Sequence, residues 1–273
     1  MVKEQQIFRI KNATQTKTAD VLAVEEPLEI SLNHSNAVQS TISVTMRTPG
    51  NDEELAVGFL FTEGIIFSRN HLAEEKIHEI PEDNKITIFL SPDFNPALNK
   101  LERNFYTTSS CGVCGKNSID AIKQVCRIEN NQTKIVVEAA EIFDLPLKLR
   151  KAQEMFESTG GIHASATFDL EGNLETLQED VGRHNALDKL IGAEFLKQEA
   201  DCFTLQDKIL LLSGRASFEL IQKAAMAGVQ IVCAIGAPSS LAVETARDFG
   251  MTLIGFLKNE SCNIYCGEER VNL

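Results

Sequence analysis

The chain has 273 residues, 43% of them hydrophobic and 24% charged, enough material for one large core or two small ones without covalent staples. Its formal net charge of -13 argues against nonspecific binding to nucleic acid or anionic membrane, which works through clustered Lys and Arg, so any anionic ligand needs a local site. Seven cysteines, an odd number, behind a start (Met1-Val-Lys-Glu-Gln-Gln6) without an apolar signal segment fit a reducing compartment. No apolar run approaches the roughly 20 residues that span a bilayer, and a cytoplasmic location is expected.

Alternation over Leu28–Leu32 and Gln39–Met46 predicts two strands of a half-buried sheet. A helix follows, with Asn51 as its cap, Glu54 three residues on as in a capping box, Leu55, Phe59 and Leu60 as an apolar stripe, and Gly64 at its end. Lys85–Leu90 reads as another strand, and Ser91-Pro-Asp-Phe-Asn-Pro96 breaks the pattern. Residues 1–104 are therefore expected to form a small α+β domain and residues 105–273 a larger α/β domain.

The second part opens on Thr107-Thr-Ser-Ser-Cys-Gly-Val-Cys-Gly-Lys116. Two thiols three residues apart, Cys111 and Cys114, can bind metal, exchange disulfides or carry sulfur. Gly112 and Gly115 and the polar approach from Thr107 to Ser110 predict a loop, which suits transfer better than structure. Lys116 and a helix starting near Asn117 would lower the thiol pKa from its free value of about 8.5 and so supply the nucleophilic thiolate. A structural zinc site wants four ligands in recognisable pairs, and Cys262 with Cys266 is a loose second pair, so no metal site is expected. Cys126, Cys202 and Cys233 read as buried small hydrophobes. A zinc deaminase would need His-x-Glu followed by Pro-Cys-x-x-Cys. Here His163 is followed by Ala164 and Ser165, the cysteine pair comes first, and Ser110 stands in the proline position.

Further on, Asp144–Glu157 predicts a helix, Ile162–Phe168 with Leu174–Leu177 a hairpin turned at Glu171-Gly-Asn173, and Arg183 the neighbourhood of another helix start. Ile209–Leu212, Val229–Ile235 and Met251–Phe256 are short apolar runs separated by helices that end at Gly228 and Gly250. Alternating strand and helix predict a largely parallel sheet covered on both faces. Ligands of such sheets gather beyond the carboxyl ends of the strands. There Ser213-Gly-Arg-Ala-Ser217 and Gly236-Ala-Pro-Ser-Ser240 offer small-residue turns leading to helix starts at Ser217 and Ser240, and Arg215 offers a bidentate anion contact. Either turn alone reads first as an ordinary strand-to-helix connection with a serine cap, and it is their pairing on one sheet edge that points to a ligand. In Glu179-Asp-Val-Gly-Arg-His-Asn-Ala-Leu-Asp-Lys-Leu190, His184 suits acid/base chemistry or ligand binding, while capping by Asp180 and salt bridging by Asp188 explain the segment as well. His163 reads as a satisfied, half-buried histidine, and His34, His71 and His78 carry no signal.

Together, Ser109-Ser-Cys-Gly-Val-Cys-Gly115, Gly160-Gly-Ile-His-Ala-Ser-Ala166, Glu179–Lys189, Ser213-Gly-Arg-Ala-Ser217 and Thr252-Leu-Ile-Gly-Phe256 resemble the formate dehydrogenase accessory sulfurtransferases, the FdhD family, over residues 20–270. The resemblance implies a protein that takes sulfur from a cysteine desulfurase as a persulfide. It delivers that sulfur to the molybdenum cofactor, in its bis-guanine-dinucleotide form, before the cofactor enters the catalytic subunit of formate dehydrogenase. It implies for the second domain a three-layer α/β fold like that of cytidine deaminases, without the deaminase metal, and a homodimer is the expected assembly. Carried over, Cys111 bears the persulfide, Cys114 is its partner, and Phe256, Leu257, Lys258, Asn259, Glu260 and Ser261 bind the cofactor, with Phe256 against the purine. Phe256 and Lys258 match the family's Phe-Cys-Lys-Pro-Gly-Arg form, whereas Leu257, Asn259, Glu260 and Ser261 do not, and a phosphate contact from its final Arg is lost. Arg215, Ser217, Ser240 and His184 complete the expected site. A thiol–disulfide oxidoreductase and a zinc-stabilised binding module are the rival readings of the same loop.

Overall fold

The computed structural model describes residues 1–34, 40–80, 84–96, 135–198 and 203–273, with side chains given throughout except at 74–80. It begins with a ribbon that the sequence pattern does not predict: β1 (Val2–Lys11) and β2 (Thr14–Ala23) pair antiparallel around Asn12 and Ala13, at φ 51 and 60. That left-handed pair is the turn whose twist matches the two strands. The ribbon is polar on both faces apart from scattered residues such as Phe8 and Ile10, so no buried face marks it in the sequence.

Four strands then form the first sheet, in the order β4–β3–β6–β5: β3 (Glu26–Asn33), β4 (Ser40–Arg47), β5 (Leu72–Ile80) and β6 (Lys85–Leu90). Helix α1 (Asp52–Thr62) lies against it, burying Leu55, Leu60 and Phe61. Asn51 stands at the start of α1 as expected but does not cap it. Its backbone is left-handed, at φ 56, and its amide donates to Gln178 Oε1 at 2.9 Å, which orients the entry to the helix from across the structure. Gly64, at φ 72, follows the end of the helix.

The second sheet has six strands, in the order β13–β12–β11–β10–β8–β9. After the short β7 (Val137–Glu138), helices α2 (Ala139–Ala152) and α3 (Glu154–Thr159) occupy the region predicted as one helix. The hairpin β8 (His163–Phe168) and β9 (Leu174–Asp180) leads to α4 (Arg183–Lys197), and then β10 (Ile209–Leu212), α5 (Phe218–Met226), β11 (Ile231–Ala234), α6 (Ser240–Asp248), β12 (Thr252–Lys258) and β13 (Ser261–Cys266) follow; β14 (Val271–Asn272) pairs with β7. Within the six-stranded sheet, β10–β11 and β11–β12 are the parallel pairings. The sheet is mixed rather than mostly parallel: β8–β9 and β12–β13 are joined by tight turns, which can join only antiparallel strands, and β8 also pairs antiparallel with β10. Among the described residues no helix is long and apolar enough to cross a membrane.

Helices cover both faces of the second sheet. Ile142, Leu145 and Leu149 of α2 pack on one face against Ala166, Phe168, Leu211 and Ile254. On the other, Leu187 and Leu190 of α4, Leu220 and Ala224 of α5 and Ala246 of α6 join an apolar cluster that continues through α1 into Leu28, Ile30, Ile86 and Ile88 of the first sheet. The boundary expected near residue 104 lies outside the described residues. The two sheets meet through α1 and α4, which cross at glycines: a Cβ on Gly58 would lie 1.8 Å from Asp188 O, and one on Gly192 1.9 Å from Glu54 O.

Candidate functional site

The parallel strands deliver their exits to one edge, where hydrogen bonds join the two predicted turns. Gly236 N–H donates to Gly214 O at 2.9 Å, Ala216 N–H to Ala237 O at 3.2 Å, and Ser239 N–H to Ala216 O at 3.0 Å. The exit of β12 joins them, as Phe256 N–H donates to Gly236 O at 3.1 Å. The approach requires small residues: a Cβ on Gly236 would lie 2.9 Å from both Arg215 N and Gly214 O. Arg215 is exposed beside this junction. Ser217 precedes α5 as expected, yet its hydroxyl caps nothing and is buried without a partner among the described residues. The cap of α6 is Ser239, which accepts from Ala242 N–H at 3.2 Å, and not Ser240, which is the exposed first residue of the helix.

Phe256–Ser261 is the bulged end of the β12–β13 hairpin, with Lys258 opposite Ser261 around the turn at Asn259 and Glu260. Phe256 sits at φ 52, a backbone region that bulky residues adopt only where the surroundings impose it. Phe256 is 44% exposed and Leu257 1%, and the irregularity between Gly255 and Lys258 places Leu257, three residues on, in the same core as Ile254. The Leu257 side chain therefore belongs to the second core and not to a ligand surface. Lys258, Asn259, Glu260 and Ser261 are exposed.

Most of Glu179–Lys189 is committed to holding the structure together. Glu179 accepts from Met155 N–H at 3.2 Å and Phe156 N–H at 3.1 Å, capping α3. Asp180 accepts from Thr48 N–H at 3.0 Å and Gly182 N–H at 2.8 Å and pairs with Lys189 at 2.8 Å, while Lys189 also donates to Thr48 O at 2.8 Å. Asn185 donates to Met46 O at 2.7 Å. Asp188 pairs with Lys223 at 2.6 Å and accepts from the Thr62 hydroxyl at 2.8 Å. Buried charges are tolerated when paired and hydrogen-bonded, and these pairs fasten α4 to the loop between β4 and α1 and to α5.

His184 and Arg183, in the first turn of α4, remain. Burial, then the Lys223 and Arg183 charges, push the His184 imidazole down to about 4, with Glu219 opposing. His163, opposite Asp180 in the β8–β9 ladder, is lowered mainly by burial, and Gly214 approaches its ring closely. Sequence reasoning passes over Arg183 and sets His163 aside. The available signal is two cation-forming residues at a helix N-terminus, where the dipole disfavours positive charge.

The low His184 pKa has a consequence for stability. The unfolded imidazole, near 6.5, binds its proton before the folded one does, so stability is full above that value and falls as the pH drops towards 4. Between pH 7 and pH 5 the loss from this group is about 2 kcal/mol. Urea unfolding should show His184→Gln with a shallower loss over this interval than the unsubstituted protein; identical slopes would refute the effect.

Cys111 and Cys114, like Cys126 and Cys202, lie outside the described residues. Among the described cysteines, burial pushes the thiols of Cys233, Cys262 and Cys266 up, which leaves them poor nucleophiles at neutral pH. No three His, Cys, Asp or Glu side chains among the described residues converge to hold a metal.

Residues 23–272 match the family model described as FdhD/NarQ. The chain belongs to this family. It is 43% identical to a sulfur carrier protein FdhD of Streptomyces coelicolor, across 100% of this chain and 96% of the relative. Relatives of the same name occur in Mycobacterium tuberculosis, 44% identical over 92% of both chains, and in Sulfurisphaera tokodaii, 41% identical over 99% of both. The fold is shared with a solved structure from Desulfotalea psychrophila whose description places it among formate dehydrogenase accessory proteins, at TM-score 0.77, 22% identity and 99% coverage of both chains.

Proposed function

We propose that the protein is a sulfur carrier for formate dehydrogenase maturation. It accepts sulfur from a cysteine desulfurase and gives it to the molybdenum bis-guanine-dinucleotide cofactor before that cofactor reaches the catalytic subunit. The observation that carries this reading is identity above 40% along nearly the whole chain to proteins named sulfur carriers. The glycine-flanked Cys111 and Cys114 supply thiols suited to the task, while the described cysteines are raised by burial.

The Cys111 thiolate attacks the outer sulfur of a donor persulfide. A new S–S bond forms on Cys111, the donor S–S bond breaks, and the donor departs as a thiolate. Attack by Cys114 on Cys111 Sγ then releases the outer sulfur as sulfide to the acceptor and leaves a Cys111–Cys114 disulfide, which an external thiol reductant reopens. The cofactor is cargo. Its guanine nucleotide rests on the carboxyl edge, against Phe256 and within reach of Lys258, Asn259, Glu260, Ser261, Arg215, His184 and the helix starts after Ser217 and Ser239. The left-handed Phe256, the joined strand exits and the exposed Arg215 and Lys258 support this placement. Helix layers on both faces of the second sheet are in keeping with the deaminase-like description. A cytoplasmic homodimer remains part of the proposal.

Calorimetry with GDP at low salt tests the cofactor half. Arg215→Ala should weaken binding by about 1.5 kcal/mol, the low end for a hydrogen bond to a charged group because Arg215 is exposed, and added salt should weaken it further. GDP affinity unchanged in both Arg215→Ala and Lys258→Ala would place the ligand elsewhere.

A further inference from the structure

With the buried pairs of Glu179–Lys189 assigned, Arg183 and His184 have no structural task among the described residues. Nε of Arg183 and Nε2 of His184 are both shut off from solvent, with no hydrogen-bond partner among the described residues. The carboxylates of the segment are engaged elsewhere: Glu179 with α3, Asp180 with Lys189 and Asp188 with Lys223. Buried donors without partners are costly and rare, and each calls for a water, an ion or a ligand. Helix α4 adds a second anomaly, since its first turn has no acidic residue and Gly182 gives no side-chain cap. Two cation-forming side chains stand where the helix dipole favours an anion.

The surroundings tie this point to the strand exits. A Cβ on Gly214 would lie 3.4 Å from His163 Nδ1, so the His163 ring rests against the turn that carries Arg215 and Ser217. Facing His184 are Lys223 and Glu219 from α5, Arg183 from its own helix and His163 from β8, and facing His163 are Arg183 and Asp180. Lys223 and Asp180 are already paired, which leaves Arg183 and the imidazoles to meet a ligand and Glu219 to stabilise an added proton.

We infer that Arg183 and His184, backed by His163, form a phosphate subsite that takes the pyrophosphate of the nucleotide, an inference that rests on the nucleotide reading of this edge. Arg183 supplies a planar fork suited to phosphate oxygens. His184, neutral when the site is free, takes a proton from solvent as the anion arrives, because the added negative charge favours the imidazolium. Both ring nitrogens are then donors. Binding is therefore coupled to uptake of a proton and tightens as the pH falls from neutral.

Inorganic pyrophosphate, GDP and guanosine are the probes, titrated calorimetrically at about pH 6 in buffers of different ionisation enthalpy. The expected result is proton uptake with pyrophosphate and GDP and none with guanosine. Arg183→Gln and His184→Gln should each weaken pyrophosphate and GDP about tenfold, leaving guanosine unchanged, and His184→Gln should abolish the uptake. In the unsubstituted protein, the imidazole NMR titration of His184 should move to higher pH on adding pyrophosphate, a readout independent of how the variants fold. Pyrophosphate that binds without moving that titration, or as tightly to both variants, overturns the subsite and leaves water as the partner of the buried donors. If pyrophosphate binding depends on both residues while guanosine and GDP gain nothing over pyrophosphate, the subsite stands and the nucleotide reading falls. GDP binding that is indifferent to both substitutions overturns the subsite and leaves the nucleotide reading standing.

Discussion

Gly192→Ala is expected to destabilise the fold by about 3 kcal/mol or more, at the upper end for overpacking in a close-packed interior. The added methyl would fall 1.9 Å from Glu54 O and 2.8 Å from Gly58 N, both backbone atoms of α1, so no rotamer change relieves the clash and the helices must separate. Gly58→Ala meets the same obstacle from the other side, 1.8 Å from Asp188 O. Separation would also pull Asp180, Asn185 and Lys189 from Thr48 and Met46 and shift the helix that presents Arg183 and His184. Urea unfolding beside Gly161→Ala, whose Cβ would meet nothing nearer than Thr159 O at 3.8 Å, separates crowding from the general effect of replacing glycine. An unfolding midpoint for Gly192→Ala equal to that of the Gly161→Ala protein would contradict the helix crossing.

Cys111→Ala is expected to abolish sulfur delivery, because the thiolate that attacks the donor persulfide has no substitute. Cys114→Ala should be less severe, since an external thiol can resolve the Cys111 persulfide in its place. Cys233→Ala should leave delivery intact, as that thiol is buried in the second sheet and held far from its ionised form. Activation of formate dehydrogenase in cells lacking the endogenous protein distinguishes these outcomes. Full activation by the Cys111→Ala protein would end the assignment of that residue.

Elements whose burial follows a simple period are legible in the sequence. Leu28, Ile30 and Leu32 face the core at alternate positions, the four residues of β10 are all buried, and β6 falls on Lys85–Leu90 as predicted. The ribbon β1–β2 is not legible because it packs little of itself against the body, so selection for a core leaves no alternation there. Parallel strands are fewer than the apolar runs suggest, because such runs reveal burial and not direction, and β8 and β13 pair antiparallel with the outer strands of the parallel set. Crowding between Gly58 and Gly192 joins positions far apart in sequence, and a glycine inside a helical pattern is its only trace there.

At the site, the strand exits are visible in the sequence because they depend on small residues following apolar runs, and Phe256 is marked by the family's motif. Which residues of Glu179–Leu190 hold the fold and which are left for a ligand is not visible, since that depends on the register of α4 against Thr48, Thr62 and Lys223. Leu257 falls into the expected ligand set through the family's motif, and the sequence pattern does not show the strand irregularity that puts it in the core with Ile254.

The central claim is that Cys111 carries sulfur, and intact-mass spectrometry after incubation with a cysteine desulfurase and cysteine tests it most directly. A gain of one sulfur atom that is removed by reductant and absent from the Cys111→Ala protein is the predicted result. A Cys114→Ala protein, in which the persulfide cannot resolve to a disulfide, that gains no sulfur, or a gain that persists in Cys111→Ala, would contradict it.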